Sequence, residues 1–476
     1  MDIPTTKLWI GGEWCEAGGE PFADLNPLDD SALAMVACAT EEDVERTLAN
    51  ADQAFRDYRR STPSERERWL MGAAELLEAA SDEFVELLID EVGSPLLKAQ
   101  REISTAVGVL RSAGAATRFL SGKTMPSNVP GRWSMSLRHP LGVIVGVTPF
   151  NVPLIKNVKH SAMPLATGNT VVLLPSPHAP MVACRLAELY AEAGFPPGAF
   201  NVVTGFGESI GDRLCSDSRV RMVCFTGSTR VGRHLGELCG RHGKRCKLEM
   251  GGKNPLIVLN DANLDQAVQA AVLGSFLYQG QICMASSRIY VERTRMDSFL
   301  ERFIAAAKQL QMGDLRNART MIGPIIHTKQ REKIRHHVED ALSKGARVLC
   351  GGQWEGNRMQ PTILADVDAS MLIDGEETFG PITNVYPFDR PEEALERAND
   401  SPFGLTASVY TEDLSQAMRF AEELQVGMVH INAPTIQEEP HAPFGGIGDS
   451  GLGRESTDPD LEDMTEWKWV TFQRDM

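Results

Sequence analysis

From Leu141 onward, short apolar strands alternate with helices, and this alternation leaves the chain few folds to choose from. The strands read as Val143 to Val147, Thr170 to Leu174, Phe200 to Val203 and Met222 to Phe225. Helices fall around Leu154 to Ala166, Met181 to Ala193 and Ser209 to Leu214. Strands this apolar are buried on both faces, and strands joined through helices run parallel, so the expectation is an α/β doubly wound sheet. A second α/β segment opens after Gly251-Gly252 and closes near Phe444. It has strands near Leu256 to Leu259 and Arg288 to Val291, and helices at Leu264 to Leu277, Met296 to Leu310 and Thr328 to Lys344. At 476 residues the chain is too long for one core, so two or three domains are expected.

Residues 8 to 40 read as short strands and turns, with a hairpin at Trp9-Ile-Gly-Gly12 and a turn at Asn26-Pro27. Helical periodicity then takes over. Thr40 is placed to cap a helix reaching about Tyr58, and Thr62-Pro63 opens another. Ser81 to Val92 stops at Gly93, and a long helix follows from about Pro95 to Leu120. Trp133, Met135 and Leu137 alternate with polar residues, and Trp467, Trp469 and Thr471 alternate with Lys468, Val470 and Phe472. Two such ribbons can pair into a sheet that leaves the body and meets another subunit, or form an ordinary edge hairpin. The expected division is a nucleotide-binding unit over residues 1–120 and 141–250, a catalytic unit over 251–450, and an oligomerisation ribbon over 121–140 and 451–476. A homodimer or homotetramer is the expected assembly.

The net charge of -17 argues against nucleic acid or an anionic membrane as partner. No apolar run approaches the roughly 20 residues of a membrane span. The nine cysteines form no Cys-x-x-Cys pair and no metal-spaced cluster, so reduced thiols in the cytoplasm are expected, and no metal.

Four places carry chemistry. Cys283 follows Gly280 and Gln281 among small and polar residues, where a thiolate would have room and polar neighbours. Its backbone N–H would face an oxyanion; an inert buried thiol is the plainer alternative. Phe225-Thr-Gly-Ser-Thr-Arg-Val-Gly232 lies between a strand and a helix. Gly227 permits a tight turn there, and the free amides, with Ser228 and Thr229, would receive a phosphate. The spacing is not Gly-x-Gly-x-x-Gly, so an ordinary turn stands beside that reading. Glu249, before Gly251-Gly252, is either a general base with a raised pKa or a solvated loop residue. Asn151, after Thr148-Pro149-Phe150, offers a neutral donor to an oxyanion, or simply caps a turn.

Together and in this order, these segments resemble the NAD(P)-dependent aldehyde dehydrogenase superfamily over nearly the whole chain. The resemblance rests on Pro149-Phe-Asn-Val-Pro153, Ala166-Thr-Gly-Asn-Thr170, Phe225-Thr-Gly-Ser-Thr229, Leu248-Glu-Met-Gly-Gly252 and Gly280-Gln-Ile-Cys283. It continues through Glu376-Glu-Thr-Phe-Gly-Pro381, Asn399-Asp-Ser-Pro-Phe-Gly-Leu405, Pro443-Phe-Gly-Gly446 and Ser450-Gly-Leu-Gly-Arg-Glu455. Gln-Ile-Cys-Met resembles members acting on aromatic aldehydes. The resemblance implies that Cys283 attacks the aldehyde carbon, that Asn151 and the Cys283 N–H hold the oxyanion, and that Glu249 activates water against the thioester. It implies NAD, with NADP not excluded, held by Thr148, Phe150, Gly227, Ser228, Gly232, Glu377 and Phe379. Glu249 favours hydrolysis to a free acid over acyl transfer or a semialdehyde enzyme of that type. Retention of Cys283, Glu249 and Asn151 argues against a catalytically silent scaffold. A cofactor-free cysteine hydrolase lacks a histidine beside Cys283.

Two departures stand out. The family usually has a lysine and a glutamate that hold the adenine-side ribose; here the run is Leu174-Pro-Ser-Pro177, with His178 the nearby polar side chain. Without charge-assisted hydrogen bonds of about 1.5–3 kcal/mol each, cofactor binding would weaken unless something compensates. On the helix after Asn151, tunnel positions that are commonly apolar are Lys156 and Lys159, with His160 next. One of these lysines would meet an anionic substrate group, or both would reach solvent or pair with Glu438 or Glu439.

Overall fold

The computed structural model describes residues 4–474 and contains two large sheets and one projecting ribbon. In the first sheet, five parallel strands run in the spatial order Phe200–Val202, Thr170–Leu174, Val143–Val147, Val220–Thr226 and Arg245–Glu249. Chain order reverses between Val143–Val147 and Val220–Thr226. In an open parallel sheet that reversal leaves a crevice at the carboxyl ends of the strands, where ligands bind. The hairpin Leu8–Ile10/Glu13–Cys15 closes one edge in antiparallel fashion.

The N-terminal helices begin where the caps predict. Thr40 and Thr62 each form a reciprocal capping box, with Asp43 and Glu65, ahead of helices Glu41–Tyr58 and Pro63–Ala79. Gly93 ends Ser81–Val92 in the left-handed conformation, φ 66°. The long helix is Leu96–Ala116, shorter than expected. Helices Pro63–Ala79, Ser81–Val92 and Leu96–Ala116 pack on one face of the sheet through an apolar cluster that includes Leu70, Leu88, Leu110 and Ile144, while Val44 and Leu48 of helix Glu41–Tyr58 pack with Val143 and Val145 on the other.

Strand Arg245–Glu249 has no apolar run to announce it, because Arg245 and Lys247 interrupt the pattern. Lys247 is nonetheless buried, with its ammonium against Asp460. A charge paired in the interior can occupy a strand position that periodicity would assign to solvent.

The second sheet, also mostly parallel, runs Arg347–Cys350, Thr362–Ala365, Ile382–Phe388, Ser286–Glu292, Asn254–Val258, Thr406–Tyr410, Met428–Ile431. Helices Leu264–Phe276, Arg293–Lys308 and Thr328–Ser343 pack on it.

Thr465–Gln473 pairs with Arg132–Pro140 from Thr465↔Pro140 to Gln473↔Arg132, and Lys123–Met125 adds a third strand. The pairing sets Trp133 opposite Phe472 and Met135 opposite Val470 on one face, and Trp467 and Trp469 on the other. Trp133, Trp469 and Phe472 are more than half exposed. Not all of 451–476 belongs to this ribbon. Gly451–Leu452 instead pairs antiparallel with Leu248 and Glu249, sealing the free edge of the first sheet. Among the described residues no helix is long and apolar enough to cross a membrane.

Candidate active site

Cys283 lies between the end of helix Leu264–Phe276 and the start of strand Ser286–Glu292, two elements of the second sheet layer. The approach is strained: Tyr278, Gln279 and Gly280 have φ of 50°, 45° and 68°. Such a conformation persists only when its surroundings over-determine it. Here the Tyr278 hydroxyl donates to Val92 O (2.6 Å), Gln279 Nε2 donates to Pro324 O (2.7 Å), and Gln281 Oε1 accepts from Ile326 N (3.1 Å). Asn254 Nδ2 donates to Cys283 O (2.8 Å) and Ala285 O (2.9 Å) from below. The sequence suggests that Gly280 frees space beside the sulfur. Its requirement is different: a Cβ there would collide with Gly380 O, in a left-handed residue.

Cys283 packs against an apolar cluster that includes its neighbours Ile282 and Met284 together with the sequence-distant Ile436 and Phe444. Burial pushes the thiol up to about 12; Lys156 pulls it down, while Glu377, Glu249 and Glu438 push it further up.

Asn151 is buried, and its Nδ2 donates to Gln281 O (3.0 Å), two residues before the cysteine. An amide nitrogen has two hydrogens, so one remains for a ligand. The helix that follows, Pro153–Ala166, lacks a side-chain cap of its own at Val152. The buried Glu102 fills that role from another helix, accepting Leu154 N (2.9 Å) and Ile155 N (3.4 Å), with its other oxygen on Lys98 (2.5 Å).

Glu249 ends strand Arg245–Glu249 and is buried, and neither carboxylate oxygen has a hydrogen-bond partner. Burial first, and then the Glu455 carboxylate, hold its pKa well above the usual range. The glycines after it let other groups approach, as expected. A Cβ on Gly251 would meet Glu377 Oε2 at 2.5 Å, and one on Gly252 would meet Cys283 O at 2.6 Å.

Lys156 and Lys159 do not reach solvent, and neither pairs with Glu439, whose neighbour is His441. Lys156 Nζ lies 2.7 Å from Glu455 Oε2, and Lys159 Nζ 3.1 Å from the same oxygen and in contact with Glu438. His160 Nε2 is 3.3 Å from Glu455 Oε1. Both ammoniums stand over the Phe444 ring, at 4.7 and 4.6 Å. Burial alone would raise the Glu455 carboxyl, but Lys156, Lys159 and His160 overcome it and hold it well below the usual range. In the sequence Glu455 merely ends a motif, because the partners that give it a role lie nearly 300 residues away.

The nucleotide positions divide. Helix Thr229–Arg241 starts without a side-chain cap at Ser228, whose exposed hydroxyl and neighbouring amides are open to an anion. Thr229 does not help, since its hydroxyl donates to Asp449 O (3.0 Å). Gly227 is not left-handed; a Cβ there would meet the Phe225 ring at 2.6 Å. Gly232 serves packing, since a Cβ would collide with the Met250 sulfur. Thr148 is buried, its hydroxyl donating to Asn157 Oδ1 (2.6 Å). Glu377 is oriented by Gly252 N (3.0 Å), and burial raises its pKa. Phe379, at φ 58°, meets Phe150 edge-on at 6.0 Å, and Gln330, which no motif marks, pins its carbonyl (2.9 Å). These groups fit the phosphates and the nicotinamide side of a dinucleotide. On the adenine side Leu174 is part of the apolar core, as its sequence implies.

Comparison with known proteins agrees with this geometry. The sequence profile described as "Aldehyde dehydrogenase family" matches residues 14–470. The chain is 40% identical over 477 residues to a vanillin dehydrogenase of Pseudomonas fluorescens, covering 99% of this chain and 98% of the relative. A crystal structure of a salicylaldehyde dehydrogenase from Pseudomonas putida G7, complexed with salicylaldehyde, superposes with a TM-score of 0.96 at 37% identity, over 99% of this chain and 98% of that one. A betaine aldehyde dehydrogenase from Staphylococcus aureus in complex with NAD+ superposes with a TM-score of 0.95 at 31% identity, over 98% and 95%. By sequence along almost its full length, and by fold, the chain belongs to the aldehyde dehydrogenase family and is an NAD(P)-dependent oxidoreductase acting on aldehydes.

Proposed function

We propose that this enzyme oxidises neutral aromatic aldehydes to carboxylic acids. The carrying observation is the apolar cluster of Ile282, Met284, Ile436 and Phe444 against which Cys283 packs. Lys156 and Lys159 are matched by Glu455 and Glu438. Among the described residues both lysines are already paired with carboxylates, which argues against either of them meeting an anionic group on the substrate. Both lysines border that cluster through Phe444.

Cys283 would attack the aldehyde carbon as thiolate, and the oxygen would take the negative charge. The free N–H of Asn151 would stabilise that oxyanion as it forms. A nicotinamide held beside Glu377 and Phe379 would supply the hydride acceptor, and loss of hydride from the adduct would leave a thioester on the sulfur. Glu249 would take a proton from water as the water adds to the thioester carbon, and the acid and the thiol are released. Asn254 fixes the backbone of Cys283 through all these steps, and Glu102 holds the helix that carries Asn151.

A panel of benzaldehyde, hydroxylated benzaldehydes and an aliphatic aldehyde ending in a carboxylate tests the substrate class. The aromatic substrates should have kcat/KM at least about tenfold higher, the worth of roughly 1.4 kcal/mol of differential burial. Equal or higher values for the carboxylate substrate would overturn the assignment.

Residues 1–120 and 141–250 would bind the nucleotide, 251–450 would supply catalysis, and the ribbon would join subunits into a homodimer or homotetramer in the cytoplasm. The nine unpaired cysteines support a reducing compartment, and the ribbon's exposed Trp133, Trp469 and Phe472 support assembly. Replacing Trp469 and Phe472 with Ser should lower the mass seen by light scattering to that of a smaller species; an unchanged mass would move the interface elsewhere.

A further inference from the structure

The segment Pro175–Ala179 follows strand Thr170–Leu174 at the carboxyl edge of the first sheet, beside the crevice. Leu174 and Pro177 leave it without the lysine and glutamate that would hold a ribose. What stands there is His178. Its ring lies 4.4 Å from that of His327, at 34°, and His327 comes from the other α/β unit, just ahead of helix Thr328–Ser343. Both imidazoles meet Phe150 edge-on, at 6.5 and 6.0 Å, and Phe150 in turn meets Phe379. A four-ring cluster therefore bridges the crevice between the two units.

The rings' hydrogen bonding is incomplete. Among the described residues, His178 uses only its backbone N–H, toward Ser176 Oγ (3.2 Å). His327 accepts Gln330 N (3.1 Å) on Nδ1, so in the neutral ring Nε2 carries the hydrogen. Two N–H-bearing rings thus border a crevice whose other groups fit a dinucleotide.

We propose that His178 and His327 bind the phosphate–ribose part of the nicotinamide cofactor, their ring N–H groups standing in for the polar side chains that Leu174 and Pro177 do not supply. The surroundings explain why the rings stack in the free enzyme. Lys329 faces both rings; Arg331 also faces His327, and is itself paired with Asp30 (3.0 Å). Burial, the other imidazole and these cations keep His327 neutral, its pKa lowered to about 4, and burial with Lys329 lowers His178. Two neutral rings can stack where two cations would repel. A cofactor phosphate brings the negative charge that favours a protonated imidazole, so binding should draw in a proton.

Calorimetric titration of the purified enzyme with NAD and with NADP, at pH 6 in two buffers of different ionisation enthalpy, measures affinity and proton uptake without turnover. Wild type should bind with net proton uptake. His178→Phe keeps a ring in the stack and removes its donors. It should raise the dissociation constant at least about tenfold, the scale of one charge-assisted hydrogen bond, and reduce the uptake. His178→Gln keeps a donor and should stay within about threefold of wild type if the hydrogen bond rather than the ring matters. His327→Ser keeps the helix cap and should weaken binding as His178→Phe does. The aldehyde KM at saturating cofactor should not move. Unchanged nucleotide affinity in both His178→Phe and His327→Ser would overturn the proposal and leave the dehydrogenase assignment intact. Failure of wild type to bind either nucleotide would overturn both.

Discussion

Cys283→Ala should lower the rate of reduced-cofactor formation by at least about 10⁴-fold, because without the sulfur the aldehyde cannot become the tetrahedral anion that gives up hydride. The Cys283 backbone is held by Asn254 rather than by its own side chain. Melting temperature and nucleotide affinity should therefore stay close to wild type. A variant that keeps more than about one per cent of the activity would show that the nucleophile is misassigned. The same site predicts a pH dependence. Burial holds the free thiol up at about 12, so over pH 7 to 10 the thiolate fraction should grow about tenfold per unit. Alkylation of Cys283 by iodoacetamide in the nucleotide-free enzyme should follow it, and a plateau below pH 9 would contradict a thiol raised this far.

The second large effect is on stability. Glu455→Gln leaves Lys156 and Lys159 buried with one shared counter-ion removed, a situation that costs on the order of 3–5 kcal/mol. The pH dependence has a definite sign. The folded-state pKa of Glu455 is depressed, so its contribution is complete above about 4.5 and is lost as acid lowers the pH through the folded value. The difference in melting temperature between wild type and variant should be full at pH 7 and shrink below about pH 4. Adding Lys156→Met to the variant should recover part of the loss, since the two side chains act as a pair. Equal melting temperatures for wild type and Glu455→Gln at pH 7 would mean that Glu438 alone balances both lysines.

The parts of this molecule readable from sequence are those whose cause is local. Thr40 and Thr62 announce their helices because a cap needs only residues three apart, and Val143 to Val147 reads as a strand because its burial is uniform. Asn151, Glu249 and Cys283 stand out through family motifs, and the structure sets them around one loop. Spatial causes are invisible in the sequence. Gly280 is a glycine because of Gly380, a hundred residues on. Strand Arg245–Glu249 hides behind two cations, one of them neutralised by Asp460. His178 reads as an isolated polar residue; that it stacks on His327 cannot be read from either segment alone.

The segment from Phe444 to Gln473 serves several sites at once: Phe444 lies in the cluster beside Cys283, Gly445 lies against the Glu249 carboxylate, and Glu455 sits between two lysines. Gly451–Leu452 then closes the sheet edge, Asp460 neutralises Lys247, and Thr465–Gln473 builds the ribbon. On a ribosome this segment is made after every other strand of both large sheets. Until it arrives, the nascent chain carries Lys156 and Lys247 without their carboxylates, Lys159 with only one of its two, and an unpaired edge at Leu248–Glu249. The enzyme therefore cannot become active piecemeal during translation, and its early folding intermediates need protection from aggregation until those final contacts can be made.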